Sequence, residues 1–206
     1  MENLAILTGD LISSTTRQAS DVDAAMQTLA AGARDIAVWG GKKNHFTRAR
    51  GDGWQLDVNP LYQALRAALY LTARLRAVDL GMTSRIAIGL GPITTLGSGT
   101  LADGHGEAFV TSGQRLDTMR RGEILAVAGA GITPLHRALV VMMSERVSRW
   151  TREQAEALLA VLPPDALPQT AVAERLKISP QAVGYRLSGA AAAEFRTALQ
   201  LWESVA

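Results

Sequence analysis

Strand-like and helix-like apolar patterns alternate as far as Trp150, and after that residue no strand pattern returns. Period-two alternation suits a pleated sheet, whereas recurrence every three to four residues suits a helix with one apolar stripe. A chain that switches between the two and then stops switching is constrained to a mixed body followed by an all-helical segment. The domain boundary is therefore expected near residue 150, dividing the chain into 1–150 and 151–206.

Residues 4–7 form a short apolar run that ends at Thr8-Gly9-Asp10 and predicts a buried strand. Residues 21–39 carry apolar side chains at helical spacing, with Asp21 or Ser20 as N-cap and Gly40-Gly41 as the stop. Residues 45–50 and 54–58 alternate on either side of Gly51-Asp52-Gly53, which is a hairpin signature. Pro60 opens a helix to about Leu80, and Gly81 ends it. Then follow a strand at 83–90, a glycine-rich loop region at 89–106 with room for a short strand, a helix at 107–120, a strand at 123–128 and a helix at 134–150. This order predicts an α+β sandwich with helices covering one face of the sheet.

Composition narrows the chemistry. Without cysteine there are no disulfides, thiolate metal sites or cysteine nucleophiles. No signal peptide and no membrane-length apolar run is visible, so a soluble, cytoplasmic protein without a membrane partner is expected. The net charge of +2 is too small to argue nucleic-acid binding from bulk electrostatics. Such a reading must come from a motif.

One stands near the C-terminus. A helix at 151–162, opened by the Thr151-x-x-Gln154 capping pattern, is broken by Pro163, Pro164 and Pro168. Residues 169–190 then read as two helices around Lys177-Ile178-Ser179, with Ser179 as N-cap and Pro180 in the first turn. Ala173 is small enough for close helix approach, and Ile178 plugs the corner. This resembles the helix-turn-helix of bacterial regulators and the DNA-reading module of sigma-type factors. The resemblance implies that Ser179, Pro180, Gln181, Ala182, Tyr185 and Arg186 face the major groove. Gln181 suits adenine, and Arg186 suits guanine or phosphate. A helical hairpin that merely packs on the main body is the plainer reading. The low charge of the segment leads to an expected dimer.

Asp10 ends the first strand pattern and Asp52 sits at the hairpin tip. If their strands are neighbours, two carboxylates converge, and such pairs are relieved by a shared proton or a divalent cation. Two carboxylates with substrate phosphates are a common way to hold magnesium. Taken singly, Asp52 is an ordinary turn residue and Asp10 an ordinary loop or capping residue. Ser13, Ser14, Thr15 and Thr16 offer hydroxyls nearby; the three histidines show no ligand spacing, and of these only His105 lies near the proposed site.

LTGDLISST, RARGDGWQL and ADGHGEAFVTSGQRL resemble the landmarks of class III nucleotidyl cyclase domains. In detail they are closer to SatD-like proteins, which pair such a domain with a C-terminal helix-turn-helix. The resemblance implies a ferredoxin-like, cyclase-like sandwich and a homodimer with sites at its interface. It also implies Asp10 and Asp52 as ligands for magnesium or manganese, Arg115 as the catalytic arginine at the developing phosphate charge, and Arg48 at the base-reading position. Thr111 stands where these domains carry asparagine, and Asp103 is displaced by one residue from the purine-reading aspartate. Arginine in place of lysine at 48 is not a neutral exchange. Three readings follow: a DNA-binding transcriptional regulator whose N-terminal domain senses a nucleotide or metal, an active nucleotidyl cyclase or nucleotidyltransferase on ATP or GTP, and a non-catalytic dimerisation platform.

Overall fold

The protein is described from a computed structural model that covers residues 2–49 and 51–205. Six strands form one sheet: β1 (Asn3–Ile12), β2 (Phe46–Arg48), β3 (Gly53–Val58), β4 (Thr83–Thr95), β5 (His105–Gly106) and β6 (Leu125–Gly129). Their order is β2-β3-β1-β4-β5, all antiparallel, with β6 running parallel to β4. The helices are α1 (Ala19–Gly40), α2 (Ala64–Ala77), α3 (Glu107–Asp117), α4 (Pro134–Ser148), α5 (Arg152–Leu158), α6 (Gln169–Leu176), α7 (Pro180–Gly189) and α8 (Ala192–Val205). Arg50, at the end of the predicted hairpin strand, lies outside the described residues. None of the described helices is long and apolar enough to cross a membrane.

The expected one-sided sandwich is corrected by the sheet's second face. Ala5, Leu7 and Leu11 of β1 join Ile86 and Ile88 of β4 in the large core beneath α1, α2 and α4. Leu4 and Ile6 point the other way and pack on Ala108 and Phe109 of α3. Residues 4–7 are apolar without alternation because both faces are covered. The glycine-rich stretch also departs from expectation, since β4 continues through Gly89 and Gly91 to Thr95. A Cβ at Gly89 would lie 2.2 Å from the Ala108 carbonyl oxygen, so glycine here marks close helix approach, not a loop. At α1 the helix begins at Ala19 and its N-cap is Gln18, ahead of both predicted caps.

Helix α2 is buried on nearly every side, with Ala64 through Ala73 all removed from solvent. One side meets the sheet, others meet α1 and α5, and Arg66 reaches Glu203 of α8. Leu158, Val172, Val183, Phe195 and Trp202 belong to the same apolar cluster as the sheet residues, so the core is continuous across position 150. Arg66 carries a charge into this seam at 6% exposure. Its Nε and Nη2 donate to Glu203 at 2.6 and 2.8 Å, and its Nη1 donates to the Leu162 carbonyl oxygen at 2.6 Å.

Helices α6 and α7 meet across a three-residue turn in which Lys177 takes the left-handed conformation at φ 55°. The Ser179 side chain accepts from the Ala182 backbone N–H at 3.1 Å, capping α7. Val172, Ala173, Val183 and Leu187 are buried between the helices and the rest of the core.

Glu203→Ala leaves the buried Arg66 guanidinium without its counter-charge. The expected cost is about 3–5 kcal/mol, read from urea unfolding of the full chain.

Candidate functional site

The end of the sheet that carries Asp10 is fixed by a buried tryptophan. Trp54 of β3 is fully buried, and its Nε1 donates to Ser84 Oγ at 3.0 Å. Ser84 Oγ in turn donates to the Asp10 carbonyl oxygen at 2.7 Å. Gly9 makes room for the ring, because a Cβ there would lie 2.5 Å from it. This packing holds β1, β3 and β4 in register where Asp10 stands opposite Gly53 on one side and Arg85 on the other.

Asp10 lies within β1, on the face that carries Ile6 and α3. Both of its carboxylate oxygens accept from Arg85: Nε reaches Oδ1 at 2.9 Å, and Nη2 bonds Oδ2. This hydrogen bond raises the Arg85 pKa above its ordinary value; burial opposes it, and the charges of Asp10, Asp117 and Asp52 add to it. Asp52 follows at the hairpin tip, its carbonyl oxygen accepting from the Leu11 backbone N–H at 3.1 Å. The two aspartates lie at the same end of the sheet, but their carboxylates bond different partners, and Asp10 is not part of the lining of the cleft that opens beside Asp52.

The Asp52 side chain accepts from the Ser14 hydroxyl. Beside them opens a cleft of about 400 Å³ lined by Ser14, Thr15, Arg17, Asp23, Arg48 and Asp52, among others. Arg48 donates to Asp23 of α1 at 2.6 Å and to the Gly51 carbonyl oxygen at 3.3 Å. Arg17 donates to the Gly81 carbonyl oxygen at 3.3 Å. Ser13 turns the chain with φ 69°, while Ser14 supplies the hydroxyl.

Arg115, Thr111 and Asp103 stand apart from the cleft lining. Arg115 donates to both Glu123 oxygens at 3.2 and 3.3 Å. Thr111 is half-buried on α3, one turn before it. Asp103 closes a 3₁₀ turn that is tied to β2 through the Leu101 N–H and Thr47 Oγ1 at 2.9 Å. Asp57, a buried acid on β3, is pushed above its usual pKa by burial, partly offset by hydrogen bonding and charge from His45.

The residues missed by sequence reasoning are Arg85, Arg17 and Asp23. Arg85 carried a readable signal, being the one charged side chain within the otherwise uncharged run 83–95. For a divalent ion the donor set fits poorly: Arg85 engages both oxygens of Asp10, and Ser14 bonds one oxygen of Asp52. Among the described residues no group of three or more His, Asp or Glu side chains could hold a metal.

On α7, Ser179, Pro180, Gln181, Tyr185 and Ser188 are exposed, and Ala182 is half-buried. Arg186 turns back to α5, where its Nη1 donates to Glu156 at 3.0 Å.

No protein-family model matches the chain, and no curated protein matches it. Among solved structures it is similar to the monomeric guanylyl cyclase domain of the RhoGC fusion protein from the aquatic fungus Blastocladiella emersonii. That match has a TM-score of 0.44 and 20% identity over 62% of this chain and 81% of that one. A dimeric form of the same domain matches at 0.42 and 17%, over 62% and 79%. A bacterial light-regulated adenylyl cyclase matches at 0.42 and 15%, over 61% of this chain and 42% of that one.

Gly9→Ala forces a methyl group against Trp54 and the Arg85 carbonyl oxygen. We expect a loss of about 1–3 kcal/mol in urea unfolding, with the tryptophan fluorescence of the folded state altered.

Proposed function

We propose that the chain is a DNA-binding regulator. In this reading α6 and α7 form a helix-turn-helix, and residues 1–150 form a cyclase-like module that binds a nucleotide or related phosphorylated ligand beside Asp52. The observation that carries it is the outer face of α7. Val183 and Leu187 are consumed by packing, while Gln181, Tyr185 and Ser188 recur at helical spacing with no intramolecular work. Tyr185 is 81% exposed. Gln181 matches the amide geometry that reads adenine, and Ser179 sits at the N-terminal end that meets base edges. The phosphate contacts assigned to Arg186 pass to the exposed Arg175 and Lys177, because Arg186 is held by Glu156.

Ligand sensing draws on the cleft beside Asp52. Its size suits a small molecule, and its Arg17, Arg48, Ser14 and Thr15 lining suits phosphate oxygens. A sensor fits this arrangement better than a nucleotidyl-transfer enzyme, since Arg115 is paired with Glu123 and Asp10 with Arg85. Pairing of two such chains would use the apolar face between α4 and α8, where Leu135, Met142 and Leu201 are 81, 70 and 65% exposed. A homodimer of this kind would carry two copies of α7 to a two-fold duplex site, and a cytoplasmic location is part of the same proposal.

Selection of duplexes by the full chain, followed by fluorescence anisotropy, tests the reading. Gln181→Ala and Tyr185→Ala are each expected to weaken the selected duplex about tenfold or more without changing thermal stability. Failure to enrich any duplex, or unchanged affinity in both variants, contradicts it.

A further inference from the structure

Asp10 and Arg85 are direct partners in the β1–β4 ladder, so the strand register itself places the guanidinium against the carboxylate. The contact is a two-pronged fork, Nε to Oδ1 and Nη2 to Oδ2, the strong form of the arginine–carboxylate pair. The side chains are 32 and 25% exposed, so bulk salt screens them less than a surface pair. Asp52 and Asp117 also act on the same guanidinium through their charges. Of these carboxylates Asp10 is the one that bonds the guanidinium, while the Asp52 carboxylate accepts from Ser14.

Crowded carboxylates need a cation or a proton between them. Here the chain provides the cation itself. We infer that Arg85 is the resident counter-cation of Asp10, holding the place a divalent ion would take and making this end of the sheet metal-independent. A divalent ion that sought Asp10 would have to break the fork. It would then sit beside a guanidinium that cannot lose its proton, and the two positive charges would repel. Arg85 thus decides what this end of the sheet accepts. The inference concerns the cation alone and stands whether or not α7 reads DNA.

Manganese ion alone is the probe, with free Mn²⁺ followed by electron paramagnetic resonance in titrations of the full chain. Wild type is expected to bind weakly. Arg85→Met keeps the apolar stem and removes the charge, and it is expected to bind Mn²⁺ at least about tenfold more tightly. Adding Asp10→Asn to that variant should reverse the gain, which a general loosening of the fold would not do. Arg85→Lys, which keeps the charge, should behave as wild type. Equal Mn²⁺ affinity in wild type and Arg85→Met overturns the inference, as does tight binding that survives Asp10→Asn. Should Arg85→Met fail to fold, the wild type still decides: its melting temperature is expected to be the same in Mn²⁺ and in EDTA. A Mn²⁺-dependent rise that Asp10→Asn abolishes would show that the ion, not Arg85, serves Asp10.

Discussion

A helix with apolar residues all round has to be covered on all sides, and the covering of α2 organises the molecule. The sheet takes one side, α1 another, and the helices after Trp150 take what remains. Burying α2 draws Arg66 inside, and its three bonds to Glu203 and Leu162 join the end of α8 and the segment after α5 to the sheet layer. Trp150 extends the same seam, donating from Nε1 to the Ala190 carbonyl oxygen just beyond α7. The position of α7 relative to the sheet is therefore set by packed and hydrogen-bonded contacts. A ligand that shifted α1 or the hairpin would meet this core before it reached α7.

The Asp10 end obeys a different constraint, which is charge. Trp54, Ser84 and Gly9 hold three strands in the register that sets Asp10 opposite Arg85, where the two meet as a fork. On the other side of the hairpin, Arg48 is bound to Asp23 and Arg17 to a backbone carbonyl. Each cation in this region that carries a hydrogen bond already has a partner, so an incoming anion would compete with carboxylates and carbonyls of the chain.

What could be read from the sequence was local. The capping chemistry of Ser179 and Thr151, the Asp-Gly turn and the apolar spacing of most helices are written within a few residues, and the structure has them. What could not be read depended on distant chain. Gly91 looks like a loop residue until β4 is seen to run through it to Thr95. Arg186 looks like a groove-facing residue until Glu156, thirty positions earlier, is brought alongside. Arg85 stands out as the one charge in the run 83–95, but its partner is unknown until the β1–β4 register sets it opposite Asp10. The placing of Asp10 beside the hairpin tip followed from the hairpin, whereas the ion pairs that occupy Asp10 and Arg115 followed from no motif.

The central claim is that the outer face of α7 meets a duplex. Hydrogen–deuterium exchange of the full chain, with and without a duplex that it has selected, addresses this most directly. The account predicts new protection confined to the turn at Lys177 and the first turns of α7, with the sheet unchanged. Protection that falls on the sheet or the cleft while α7 exchanges as freely as before would contradict it.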